Sequence, residues 1–131
     1  MRFMMIHYLD ESILTSDQNG EETKDQEDAR IREARDRELE AWDRELEAWD
    51  KEMKERGILV GGGVLDLPGK TTTLRVRDGK VLVTDGPFAE TKEQIAGYSV
   101  LECADQAEAI EVASRHPTGR FGTFELRPYA D

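Results

Sequence analysis

Apolar and polar positions change period several times along this chain, and each change marks an element. Residues Arg2–Leu9 are nearly all apolar and end at Asp10-Glu11. A run with no polar alternation predicts a central strand covered on both faces. Residues 10–23 are polar, contain Asn19-Gly20 and read as a loop. From about 24 to 56 the period is helical. Leu39, Trp42, Leu46, Trp49 and Met53 recur at spacings of three and four and share one face. Thr23 with Gln26 forms a capping box, Asp25, Glu27 and Asp28 suit the positive end of the helix dipole, and Gly57 is placed to stop the helix.

Within that helix lies a perfect duplication, Asp36-Arg-Glu-Leu-Glu-Ala-Trp42 followed by Asp43-Arg-Glu-Leu-Glu-Ala-Trp49. Acid-to-base pairs four residues apart lace its polar side: Asp28–Arg32, Glu33–Arg37, Glu40–Arg44, Glu47–Lys51, Asp50–Lys54 and Glu52–Arg56. Such a helix is about 48 Å long at a rise of ~1.5 Å per residue, more than the ~30 Å breadth of a domain this size. The stripe begins only at Leu39. The C-terminal half is therefore expected to pack on a sheet, and the N-terminal half to overhang it. Two heptads are too few for an independent coiled coil.

Beyond Gly57 the period becomes strand-like. Ile58–Leu67 is one run interrupted by Gly61-Gly62-Gly63, which predicts a bulge or a close backbone approach. No Lys-Ser/Thr follows, so these glycines are not a phosphate loop. Thr71–Arg77 and Lys80–Thr84 flank Asp78-Gly79, a strong hairpin signal. Ile95–Cys103 predicts a strand, Ala104–Arg115 a short helix ended by His116-Pro117, and Phe121–Arg127 a last strand. The order is β-α-β-β-β-β-α-β. Setting one hairpin strand aside brings it toward the β-α-β-β-α-β order of a ferredoxin-like α+β fold, with two helices on one face of an antiparallel sheet. The other face is left without a helix, which predicts a homodimer packed sheet to sheet.

Composition narrows the functions open to this single domain of 131 residues. The net charge is −11, of which −7 falls on residues 17–56. An acidic surface without a basic stripe disfavours nucleic acid and anionic membranes as partners. One cysteine, Cys103, excludes an internal disulfide and a cysteine-based zinc site, and it reads as a small buried hydrophobe. No signal peptide or spanning run is evident, so the expected compartment is the cytoplasm. No loop has the ligand spacing of a calcium or magnesium site, and no cofactor is expected.

The densest chemistry lies at Asp85-Gly-Pro-Phe-Ala-Glu-Thr-Lys-Glu93. Gly86-Pro87 forces a turn, and Thr91 with Gln94 is placed to cap one short helical turn that sets Glu90 and Glu93 on a common face. With Lys92 and Asp85 beside them, these residues are suited to bind a small polar ligand or to move protons. The alternative is that they only satisfy the turn. Of the two histidines, His7 lies inside the first strand, where a structural role is the commoner one. His116 ends a helix and is the better acid–base candidate.

Residues 85–93, DGPFAETKE, resemble the signature of the DGPFAETKE-motif proteins of the YCII-related family. The resemblance extends to the opening MRFMMIHYLDE, the Trp49…Gly57-Ile-Leu run, the Asp78-Gly79 hairpin and the ending from Phe121 to Pro128. It implies a bacterial protein with a ferredoxin-like domain forming dimeric α-β barrels, often encoded near extracytoplasmic-function sigma factors. Members of the wider group are proposed enzymes with a His–Asp acid–base pair whose His is on the first helix. Here that stretch reads Arg44-Glu-Leu-Glu-Ala-Trp49 and has no His, so the pair does not carry over. Asp66 matches its acid, and Glu45 or Glu47 is the available replacement for its His. Two functions are thus expected: a small-molecule-binding dimer with lyase- or isomerase-like acid–base activity, or a non-catalytic regulatory or interaction module working through its long acidic helix.

Overall fold

Every pairing in the main sheet is antiparallel, and the alternation of side chains along β1 explains where the core forms. The computed structural model describes residues 1–13 and 29–131. Its elements are β1 (Arg2–Asp10), α1 (Ala29–Glu55), β2 (Leu59–Val64), a 3-10 turn at Pro68–Lys70, β3 (Thr72–Arg77), β4 (Lys80–Asp85), β5 (Glu93–Glu102), α2 (Gln106–Ser114), a second 3-10 turn at Pro117–Arg120, and β6 (Thr123–Pro128). The four-stranded sheet has the order β2-β5-β1-β6, and β3-β4 form a sheet of their own. This is an α+β fold on an antiparallel sheet, with β1 central as expected.

One face of the sheet carries Phe3, Met5 and His7 from β1. Opposite them lie Leu101, Ser99 and Gly97 of β5, and opposite Met5 and His7 lie Leu126 and Phe124 of β6. Trp49 and Met53 of α1 and Ala109, Val112 and Ala113 of α2 close over this face, so both helices cover it. Phe3, Met5, Met53, Leu101 and Val112 are fully buried. Each such side chain contributes about 1.5–3 kcal/mol by leaving water. Trp49 anchors α1 to α2 by donating its indole N–H to the Val112 carbonyl at 3.0 Å. Cys103 is buried just beyond β5, and burial pushes its thiol pKa up, as befits a packing residue.

Helix α1 ends as its glycine predicts. Gly57 is left-handed (φ +72°), its N–H reaches Lys54, and the Ile58 N–H reaches Met53 at 2.8 Å, which satisfies the last carbonyls. Burial along the stripe rises toward that end: Leu39 is exposed, Trp42 and Leu46 are half-buried, and Trp49 and Met53 are buried. Residues 29–40 are exposed apart from Arg32, so the overhang is real over the described part of the helix. The expected cap at Thr23 and Gln26, the first-turn acids and the Asp28–Arg32 pair lie outside the described residues. Of the other five expected ion pairs, Glu33–Arg37 and Glu52–Arg56 are in contact. Exposed pairs at this spacing are worth only tenths of a kcal/mol, so solvent competes with the rest.

Four expectations are corrected. Residues 11–13 are helical rather than loop, because Asp10 accepts hydrogen bonds from the Ser12 backbone N–H and hydroxyl at its start. β2 stops at Val64 and excludes Leu65–Leu67, since the Pro68–Lys70 turn redirects the chain. Both hairpin strands, not one, leave the main sheet. At the 85–93 segment the capped helical turn does not form: Glu93 already belongs to β5, and the Gln94 amide instead donates to the Ala89 and Thr91 carbonyls. The hairpin turn itself is as expected, with Asp78 (φ +53°) and Gly79 (φ +74°) both left-handed. The glycine run makes both a bulge and a close approach. The register slips between Leu59 and Gly61, and a Cβ on Gly62 would lie 2.6 Å from the Tyr98 carbonyl oxygen.

Candidate functional site

Two clefts open where α1 leaves the sheet, and His116 lines both. The larger, of about 720 Å³, lies between the polar edge of α1 and strands β2, β5 and β1. Its floor is Gly61–Gly63 with Gly97, its apolar walls include Leu9, Trp42, Leu46 and Leu59, and its polar groups include His7, Ser99, Glu47, Asp50 and Lys54. The strand register places these groups. His7 follows Phe3 and Met5 on the inward face of β1, and Ser99 is two residues before Leu101 on β5. Glu47, Asp50 and Lys54 follow one another at spacings of three and four on α1, so they share one face.

His7 Nε2 and the Ser99 hydroxyl are 3.0 Å apart. The His7 ring stands edge to face with His116, centroids 4.8 Å apart, and with Phe124 at 5.1 Å. His116 in turn meets Trp49 at 4.6 Å and Phe124 at 5.4 Å. Burial lowers the pKa of both imidazoles to about 4. For His7 the neighbouring His116 adds to the lowering, and Asp50 partly opposes it. Both are therefore neutral at pH 7. His116 Nδ1 accepts the Thr118 backbone N–H at 3.1 Å. A neutral ring accepting at Nδ1 carries its proton on Nε2, so the contact fixes the tautomer.

The second cleft, of about 700 Å³, lies between α1, the end of α2 and the turn at Pro117–Arg120. Two ion pairs frame it: Arg120 with Glu45 at 2.6 Å, and Arg115 with Glu52 at 2.8 Å. Arg115 reaches both Glu52 oxygens, and this contact, ahead of Arg56, holds the Glu52 carboxyl below its ordinary range. Both arginines are already neutralised, so this cleft reads as the seam that fastens α1 to the turn.

The residues singled out in sequence divide between these places. His116 lines both clefts, while Asp85, Glu90, Lys92 and Glu93 line neither. Asp85 ends β4, and Glu90 is exposed between the strands. Lys92, with 87% of its side chain exposed, stands 3.9 Å from Asp10. Glu93 accepts a bond from Thr123 at 3.3 Å. Around them the segment is braced: Gly86 N–H donates to Thr71, the Thr73 hydroxyl donates to the Gly86 carbonyl at 2.7 Å, and the Arg75 guanidinium lies 4.8 Å above the Phe88 ring. Sequence reading gave His7 a structural role and Asp50 only an ion pair with Lys54, and it passed over Ser99. The available signal was parity, since His7 shares the inward face of Phe3 and Met5. The register that brings Ser99 beside it is a long-range pairing.

The YCII-related domain matches residues 1–131, the whole sequence. The chain belongs to the YCII-related family. Over 60 residues it is also 43% identical to an uncharacterized protein of Rhizobium meliloti (strain 1021), a match covering 44% of this chain. The chain spans about half of that relative, 48% of its length. Within this YCII-related chain, Asp66 is exposed after β2 and accepts from the Leu67 N–H, with Lys70 at 3.4 Å. Those contacts, the backbone one first, hold its carboxyl low. Of the two glutamates available in place of the family's helix His, Glu45 is committed to Arg120 and Glu47 lines the main cleft. Among the described residues no helix is long and apolar enough to cross a membrane, and no cluster of three metal-ligating side chains is found.

Proposed function

We propose that this YCII-related protein binds a small polar molecule in the main cleft and carries out acid–base chemistry there, of the lyase or isomerase kind. The observation that supports this most is the contact between two neutral imidazoles, His7 and His116, on the wall of a roomy cleft. A neutral imidazole takes up a proton from a bound substrate, and a nearby carboxylate steadies the imidazolium that results. This reading gives His7 the first role and Asp50 the second. Ser99 orients His7, and His116 Nε2 offers the proton donor of the pair. In this reading Asp85–Glu93 braces the return from the hairpin to β5. The test is a thermal-shift screen against lactones, cyclic ketones and small carboxylates, run on the parent, His7→Gln and Lys92→Ala. A stabilising compound that His7→Gln no longer binds supports the reading, and one lost only in Lys92→Ala moves the site to residues 85–93.

We further infer the ferredoxin-like, dimeric α-β barrel arrangement. With the hairpin set aside, the described elements run β-α-β-β-α-β, and among the described residues no helix lies over the sheet face bearing Met4, Ile6, Tyr8, Tyr98 and Val100. A second copy is the covering this reading assigns. Sedimentation at micromolar concentration tests it, and a monomer would refute it. The non-catalytic module is a second reading, favoured by the exposed overhang of α1, and it predicts that His7→Gln leaves every function of the protein unchanged.

A further inference from the structure

The hairpin of β3 and β4 stands apart from the main sheet with one face bare. Directly paired residues point to the same side, so the register Leu74↔Val83 and Val76↔Val81 gathers four aliphatic side chains on one face. These four are 53–60% exposed. The opposite face is partly occupied by the chain itself: the Thr73 hydroxyl donates to the Gly86 carbonyl, and Arg75 lies over the Phe88 ring. A two-stranded hairpin alone is marginal in water and gains stability from a further layer. A few hundred Å² of contiguous aliphatic surface on such an arm marks a contact with another molecule.

Length, charge and area say which molecule. Each strand of the arm has six residues, about 20 Å, which is also about the breadth of four paired strands. The open sheet face bearing Met4, Ile6, Tyr8, Tyr98 and Val100 is thus a seat of matching size, and it belongs to this same chain. Arg75, Arg77 and Lys80 gather on the arm's other face by the same register, in a chain of net charge −11, so the arm brings cations to an acidic surface. A two-fold pair buries arm and seat twice over, which takes the total past the ~1,000 Å² of a specific interface, whereas one arm on an unrelated protein stays below it. We propose that β3–β4 is an arm that clasps a second copy of this chain, with Leu74, Val76, Val81 and Val83 seated on that copy's open sheet face. Such a clasp rests on the dimer reading, which by itself gives the hairpin no part.

Sedimentation of the full chain compares the parent, Val76→Thr/Val81→Thr/Val83→Thr and Leu82→Thr. Thr keeps the shape and strand preference of Val, and melting curves check that each variant folds. The triple variant is expected to weaken the dimer about a hundredfold, or about 2.8 kcal/mol, and Leu82→Thr, on the other face, to leave it unchanged. In a second measurement p-benzoylphenylalanine replaces Val81, and mixed ¹⁴N and ¹⁵N chains are illuminated. The expected cross-link joins the arm of one chain to the segment Met4–Tyr8 or Ile95–Val100 of another. If the parent is a dimer but the triple variant pairs as tightly, the arm assignment is overturned and the dimer reading stands. A cross-link confined to one chain, or one that falls elsewhere on the partner, overturns it equally. If the parent is a monomer, the dimer reading and the clasp fall together.

Discussion

Lowering the pH from 7 to 5 is expected to destabilise the fold through His7 and His116. Both imidazoles have pKa values lowered from 6.5 to about 4. The unfolded chain therefore takes up protons at higher pH than the folded one. Their contribution is fully present above pH 6.5 and is lost as pH falls from 6.5 toward 4. At pH 5 a shift of this size is worth about 2 kcal/mol per group. His116 is buried and keeps most of that. His7 reaches the cleft, where Asp50 favours its charged form and Lys54 and Glu47 stand nearby, so about half is reasonable for it. The sum is about 3 kcal/mol. The rings touch, so they titrate as a pair and the loss is spread over more than one pH unit. Two other effects are separable. Carboxylates held low, such as Glu52 and Asp66, lose their contribution only at lower pH, and partial neutralisation of the net charge of −11 acts in the opposite direction. The assay is urea unfolding at pH 7, 6 and 5 for the parent and for His7→Gln/His116→Asn, in which Gln keeps a partner for Ser99 and Asn an acceptor for Thr118. The variant should lose most of the slope. A parent curve flat to within about 0.5 kcal/mol, or the same slope in the variant, would refute the reasoning.

Four further outcomes follow from packing and exposure. Trp49→Phe should cost about 2–3 kcal/mol in urea unfolding, because it removes the indole bond to the Val112 carbonyl, leaving that carbonyl only the long 3.3 Å bond from the Arg115 N–H, and opens a small void. Gly62→Ala should cost more than about 2 kcal/mol, since its Cβ meets the Tyr98 carbonyl at a positive φ, whereas Gly61→Ala, 3.6 Å from Val100, should be tolerated; paired melting curves decide. Lys92→Ala should change the melting temperature by less than about 2 °C, its ion pair being almost wholly in solvent. Met53→Ala should cost about 2–5 kcal/mol and Leu39→Ala less than about 1 kcal/mol, a contrast that would vanish if the overhang of α1 were packed in solution.

Local rules carried most of the fold. The helical stripe, the Gly57 stop, the Asp78-Gly79 turn and the run of β1 were legible because each depends on neighbours in sequence. The hairpin's departure from the main sheet was not, because it follows from a short turn at Pro68–Lys70 and a long-range hydrogen bond from Gly86 to Thr71. The site was harder still. A dense polar stretch at 85–93 drew attention by composition, yet its polar groups are mostly in solvent or spent on the turn. His7 and Ser99 are 92 residues apart and meet only through the β1–β5 register. Reading the parity of β1 with His7 included was the one clue available beforehand.

The repeat in α1 has a consequence for how this helix can change length. Seven residues turn an α-helix through about 700°, some 20° short of two full turns, and advance it about 10.5 Å. Losing or gaining one copy of the repeated unit therefore shifts everything upstream along the axis while keeping the same side toward the sheet. Loss of one copy would leave Trp49, Met53 and the core intact but bring Arg35 to the place Trp42 now holds. The unit behaves as an interchangeable spacer, able to add or strip a cleft-facing aromatic in a single in-frame event without disturbing the domain beneath it.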